Sequence, residues 1–236
     1  MIKVIFTLVF SLVLWSLTYA QNCIPVAIVF TTQAQVDAFP TDYPGCTIID
    51  GNVGITGNDI TNLNGLSQIT QINGSVSILN TSLSDITGLG NLTQIGGGLT
   101  VNQTGLTDFT GLNNLTTIGG QLFLFVNSGL TSLSGLNNLT TIGGQFYLQE
   151  NNNLINLSGL NNLTTIGGQF YVLIFNGAFD LSGMSSLTSI LGDINLTGNI
   201  SNFGSLNSLS VINGSLRIER NSLISDISGF NNLTTI

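Results

Sequence analysis

Histidine is absent from this chain, and only three residues are basic: Lys3, Arg217 and Arg220. Without histidine there is no Ser-His-Asp or Cys-His nucleophile and no imidazole metal site. The net charge of −8 leaves no basic face to neutralise phosphates, which excludes nucleic-acid binding and disfavours an anionic membrane surface. The single lysine, Lys3, stands too near the start to serve Schiff-base chemistry in an exported chain. The Gly-Gly pairs lack the strand-loop-helix setting and the lysine of a phosphate loop. Charged residues make up 6% of the chain, against about 25% in ordinary soluble domains. Carboxylate chemistry on a β-scaffold needs paired acids, whereas Glu150 and Asp193 are scattered. No enzyme, cofactor or resident metal is therefore expected.

The opening residues follow a different logic. Lys3 precedes an apolar run from Val4 to Leu17, and Thr18-Tyr19-Ala20 supplies a small-x-small junction before Gln21. This is the pattern of a secretory signal peptide over residues 1–20. The alternative is a retained anchor, but the run falls short of the ~20 residues that span a bilayer. No later segment is apolar and long enough to span one. Export would bring Cys23 and Cys46, the only two cysteines, into an oxidising compartment, where a disulfide between them is expected; two buried free thiols are the alternative.

What the chain does have is a repeat. Isoleucine recurs at positions 49, 72, 95, 118, 142, 166, 190, 212 and 236, in steps of 22 to 24 residues. Two positions after each of the first eight comes glycine, from Gly51 to Gly214. An alternating apolar pair follows each glycine, such as Leu122/Leu124, Phe146/Leu148 and Phe170/Val172. Period two means a short strand with one buried face. The apolar period then becomes three, as in Leu130, Leu133, Leu136, Leu139 and Ile142, which suits an arc of 3₁₀-like turns better than a helix or strand.

One such coil cannot bury its own apolar edge, whereas stacked coils bury one another's. The expected fold is all-β: a parallel β-solenoid of about eight coils over residues 49–236. Residues 21–48 do not fit the repeat and hold all three prolines. Thr31-Thr32 ahead of Gln33–Phe39 reads as a capped short helix. This segment is expected to be an N-terminal cap, stapled by Cys23 and Cys46. Ile236 stands where another strand should open, as in a truncated array.

The run Cys46-Thr47-Ile48-Ile49-Asp50-Gly51-Asn52-Val53-Gly54-Ile55 resembles the opening of receptor L domains, the leucine-rich-repeat-like solenoids of insulin and epidermal growth factor receptor ectodomains. Elements such as Ile142-Gly143-Gly144-Gln145-Phe146-Tyr147-Leu148 and Gly135-Leu136-Asn137-Asn138-Leu139 extend the likeness over residues 46–236. Similar arrays occur in exported surface proteins of Bacteroidetes-type bacteria, whose signal peptides often end as Tyr19-Ala20-Gln21 does. The resemblance implies a right-handed solenoid displayed outside the cell. It transfers no ligand, because fold does not fix function.

With the apolar pairs inside, the residues between them face outward: Gly54, Ser77, Thr100, Phe123, Tyr147, Tyr171, Asn195 and Arg217. Phe123, Tyr147 and Tyr171 should stack on adjacent coils, beside a column of Gln121, Gln145 and Gln169. Exposed aromatics flanked by amides suit a protein or glycan ligand; the competing account is that the rings only stabilise the sheet. A second column comprises Asn62, Asp85, Asp108, Ser132, Asn156, Asp180, Asn202 and Asp226. Asp85 and Asp108 could share Ca²⁺, but such residues more often bond their own turns. Asn58, Asn127, Asn151, Asn199 and Asn221 read as a corner ladder serving buried backbone groups. Sequons such as Asn114-Leu115-Thr116 are either glycan sites or by-products of the repeat. The function expected is an exported binding or adhesion module; the rivals are a structural spacer and, more remotely, an ice-binding surface on Thr117, Thr141 and Thr165.

Overall fold

The structure, a computed structural model, describes residues 21–236; residues 1–20, with the expected signal peptide, lie outside the described residues. Each coil begins with a short strand that ends on the repeat isoleucine, as in Thr117–Ile118, Thr141–Ile142 and Thr165–Ile166. A glycine corner leads into a longer strand, as in Leu122–Phe125 and Phe146–Gln149. The repeat thus builds two parallel sheets of nine strands each, where the alternating pairs had indicated one strand per coil. The repeat glycine lies close against the coil before it: a Cβ on Gly144 would stand 2.9 Å from the Gln121 nitrogen and from the Gly120 carbonyl carbon.

The arcs explain the period of three. Leu112 N donates to Phe109 O and Leu115 N to Leu112 O, both at 2.9 Å; Leu139 N bonds Leu136 O in the same way. Each i to i+3 bond returns the chain to the same side, so Leu130, Leu133, Leu136, Leu139 and Ile142 all point inward and are buried. One continuous apolar core runs along the solenoid, with Phe146 stacked on Phe170 at 5.3 Å.

Nine rungs form instead of eight because residues 21–48 supply a coil of their own. Gln21–Cys23 pairs with Cys46–Ile49, and Ile28–Phe30 pairs with Val53–Ile55. The 48/49 boundary expected from the repeat falls inside the strand Cys46–Ile49. In this first coil a helix, α1 (Gln33–Asp42), replaces the arc. Thr32 caps it: the Thr32 side chain accepts from Gln35 N, and the Gln35 side chain returns to the Thr32 N–H. The expected Cys23–Cys46 disulfide is present, with the Cα atoms 5.7 Å apart across neighbouring rungs.

Polar ladders hold the outside of the stack. Eight consecutive coils carry a Thr or Ser hydroxyl that donates to the matching carbonyl one coil earlier at 2.9–3.2 Å, from Thr70→Thr47 to Thr234→Ser210. Beside it, the side-chain amides of Asn91, Asn114, Asn138, Asn162 and Asn232 donate to carbonyls of the preceding coil at 2.5–2.8 Å. The Asn-Leu-Thr sequence therefore has a structural use: both polar side chains tie one coil to the last. The strands Phe170–Asp180 and Ile194–Asn202 run on beyond the others, with a register shift between Ile174 and Phe179. In the last described coil Ile227 is 61% exposed, where Phe203 one coil earlier is fully buried.

Candidate ligand-binding face

Strand pairing puts the outward residues in register as the sequence indicated. Ser77 lies beside Thr100, Thr100 beside Phe123, Phe123 beside Tyr147, Tyr147 beside Tyr171, and Tyr171 beside Asn195. Tyr147 and Tyr171 stack with centroids 4.3 Å apart and planes 3° from parallel. Phe123 breaks the stack: it meets Tyr147 edge-on, at 5.5 Å and 64°. The stacked faces of the two tyrosines are thus turned to each other. The Tyr147 hydroxyl donates to Gln149 Oε1 at 2.5 Å, and Gln149 Nε2 donates to Glu150 Oε1 at 2.8 Å. Partial burial, the neighbouring Tyr171 and then Glu150 raise the Tyr147 phenol above its ordinary value, so it is a neutral donor at physiological pH.

A second outward column, not singled out from the sequence, runs beside the first: Leu79, Asn102, Phe125, Gln149 and Leu173. It lies one residue past each apolar pair, where the sequence gives no sign that the strand continues. Between the two columns is a hollow of about 270 Å³, lined by Thr100, Asn102, Phe123, Phe125, Gln145 and Tyr147. Of the expected site residues it gathers Phe123, Tyr147 and Gln145. Tyr171 extends the aromatic row on the next rung, while Gln121 and Gln169 are outside the lining. All three glutamine backbones serve the sheet, accepting from Leu99, Leu122 and Phe146 N–H groups at 2.8–2.9 Å. Asn102, one of the lining residues, has a buried Oδ1 with no hydrogen-bond partner among the described residues. Larger hollows lie elsewhere among the described residues, one of about 380 Å³ beside α1 and another of about 470 Å³ on the polar turns around Gln103 and Ser128.

The Asp/Asn/Ser column bonds its own turns. In each of eight coils the side-chain oxygen accepts from the N–H two residues later, at 2.7–3.1 Å, from Asn62 with Asn64 to Asp226 with Ser228. These bonds hold the carboxyls of Asp85 and Asp226 below the ordinary range. Asp85 Oδ1 and Asp108 Oδ1 are each engaged in this way, and no group of three or more His, Cys, Asp or Glu converges among the described residues. Asp193 Oδ1 likewise accepts from Ser215 N at 2.8 Å.

The corner ladder is real for Asn127, Asn151 and Asn221, whose amides donate to Val101, Leu124 and Leu196 carbonyls at 2.9 Å. Thr104 continues it, donating to Asn127 Oδ1 at 2.9 Å. Asn58 and Asn199 depart from it. Asn58 is exposed, and Asn199 bonds Phe175 O at 2.5 Å on a strand that runs on.

Residues 45–98 match the receptor L domain, and residues 74–172 match the BspA type leucine rich repeat region in six copies. The chain is a leucine-rich-repeat, receptor-L-domain-like solenoid. Among solved structures it is similar to an internalin (inlF) from Listeria monocytogenes, at 19% identity and a TM-score of 0.42, over 92% of this chain and 66% of that one. No curated protein matches it.

Proposed function

We propose that this solenoid is an exported, non-catalytic binding module that presents the face of its longer-stranded sheet to a protein or glycan outside the cell. The outward row of Phe123, Tyr147 and Tyr171, with the hollow beside it, carries the reading. Half-buried aromatics with polar neighbours are a recurrent makeup of recognition surfaces. Export is supported by the signal pattern of residues 1–20 and by the Cys23–Cys46 disulfide. The lack of histidine and the engagement of Asp85, Asp108 and Asp193 in backbone bonds leave little for catalysis.

One observation favours a second reading, a structural spacer: the parallel stack of Tyr147 on Tyr171 would stabilise the sheet with no ligand at all. Glycan and peptide arrays probed with the full chain and with Tyr147→Ala/Tyr171→Ala separate the two. The binding module requires a ligand whose signal falls in the folded double variant. Equal signals from both proteins would remove the aromatic row from recognition, and no signal from either would favour the spacer.

A further inference from the structure

We propose that the hollow between Thr100, Asn102, Phe123, Phe125, Gln145 and Tyr147 is a subsite for a neutral saccharide ring; the proposal rests on the binding-module reading and names its ligand class. The first observation is the buried Asn102 Oδ1 with no partner. Its neighbours on the adjoining rungs of the same column are Leu79 and Phe125, which have no side-chain donor. A buried amide left unmet costs stability, and a native chain that keeps one calls for an explanation. A turn of the Asn102 side chain toward the hollow would bring this oxygen to a ligand group seated there and supply the missing bond. A hydroxyl suits best, because it donates and accepts and so satisfies the amide in either orientation about its Cβ–Cγ axis.

The remaining walls point to the same chemistry. The Thr100 hydroxyl and the Gln145 amide have no hydrogen-bond partner among the described residues, so three polar side chains border the hollow unpaired. Phe123, Phe125 and Tyr147 supply apolar ring surface, and the 64° tilt of Phe123 away from Tyr147 leaves Phe123 outside the stack. A pyranose has this duality, with a face of C–H groups and a rim of hydroxyls. The lining carries no charged residue, and the net charge of −8 disfavours acidic sugars, so the ring is neutral. The lining spans three rungs, roughly 10 Å by the strand spacing, which accommodates one or two rings of a longer glycan. A peptide is the weaker fit: the N–H and C=O groups of these strands are already spent in the parallel ladder, so a peptide could not add to it as a strand.

The test compares the full chain with Asn102→Leu and Phe125→Ala on neutral oligosaccharides, by glycan array followed by calorimetric titration. Asn102→Leu replaces the unmet amide with a hydrocarbon of similar shape. The expected result is a loss of glycan affinity of about tenfold together with an unchanged or higher unfolding midpoint. Phe125→Ala should weaken the same glycans by a comparable factor while leaving the outward-facing strand paired. The proposal is overturned if wild type binds no neutral saccharide at millimolar concentration, or if both variants bind as wild type does. A peptide or protein ligand that depends on Tyr147 and Tyr171, with no glycan bound, would overturn the saccharide and keep the binding module. Silence on glycan, peptide and protein arrays alike would overturn both.

Discussion

Asn151 Oδ1 accepts two hydrogen bonds from Asn127 one coil earlier, at 3.0 Å from its backbone N–H and 3.1 Å from its side-chain amide. Both asparagines are fully buried, and Asn151 Nδ2 also donates to Leu124 O at 2.9 Å. Asn151→Leu would leave the Asn127 N–H unmet inside the core and take from the Leu124 carbonyl the bond it accepts beside its place in the strand ladder. An unmet buried group costs about 1–3 kcal/mol, so a loss of about 2 kcal/mol is expected in urea unfolding. The Asn127→Leu/Asn151→Leu pair should cost clearly less than the sum of the two single changes, because the partners are shared. Strict additivity would mean that the ladder does not act as a unit.

Acid sensitivity follows from the turn column. Asp85 and Asp226 have depressed carboxyl values because each accepts a backbone and a side-chain hydrogen bond, from Thr87 and Ser228 respectively. The folded chain then holds fewer protons than the unfolded one, so stability rises with pH across that window. The contribution is complete above the ordinary carboxylate value near ~4 and is lost as pH falls through the depressed folded values. Asp85→Asn keeps the carbonyl acceptor to Thr87 N but cannot titrate. Its unfolding midpoint should fall less steeply than that of wild type between about pH 5 and 2. Parallel curves would show that the turn carboxyl does not couple to folding.

These ladders mark how far the sequence could be read. The isoleucine-glycine anchor gave the register, and with it the outward row of Phe123, Tyr147 and Tyr171 and the buried Asn127 and Asn151. Past the apolar pair no residue type marks the strand's end. The chain leaves the strand through left-handed residues at Asn80, Gln103, Val126, Glu150 and Arg220, which share no chemistry and which tertiary packing imposes. Asn102 and Phe125, just ahead of that exit, were therefore not legible as a site. The first coil was hidden because the anchor is missing there: Cys23 stands one step before Cys46, and Pro25 follows. Their separation of 23 residues equals one repeat, and that was the available sign that residues 21–48 form a rung.

Two glycines with positive φ should respond very differently to alanine. At Gly135, φ is +103° and an added Cβ would stand 1.9 Å from the Phe109 carbonyl oxygen; at Gly177, φ is +74° and nothing lies within 4 Å. Gly135→Ala thus adds a backbone clash to the left-handed penalty, for a combined loss of about 3 kcal/mol. Gly177→Ala incurs only the conformational term, about 1 kcal/mol. Thermal unfolding of the two variants measures the difference, and equal losses would mean that the coils can part to admit a methyl group at Gly135.

Reduction of the disulfide should act on the first coil. Cys23 and Cys46 close a loop one repeat long between the two outermost rungs of the short-stranded sheet. Closing a loop of this length is worth about 3 kcal/mol in the chain-entropy account. Cys23→Ser/Cys46→Ser is expected to lower the unfolding midpoint and to expose the amides of Ile28–Phe30 and α1 to hydrogen exchange before those of the central coils, since stability in a stacked array is largely a matter of neighbouring units. Uniform exchange along the chain would argue that the staple serves the whole stack.

The tyrosine stack offers an optical check on the candidate face. The Tyr147 phenol is raised above its ordinary 10.0, first by partial burial, then by the charge and hydrogen bonding of Tyr171, and last by Glu150. Tyr171→Ala removes the ring that lies 4.3 Å away and opens that side of Tyr147 to water. Desolvation and Tyr171 both act in the same direction, so their removal must lower the Tyr147 value toward that of a free phenol. Ultraviolet titration of tyrosinate, with Tyr147→Phe to assign the transition, reads the shift. Glu150→Gln should lower the value by less, because Glu150 is the smallest of the causes. If Tyr147 titrates unchanged in Tyr171→Ala, the rings do not stack in solution, and the aromatic row would then be free to turn its faces toward a ligand.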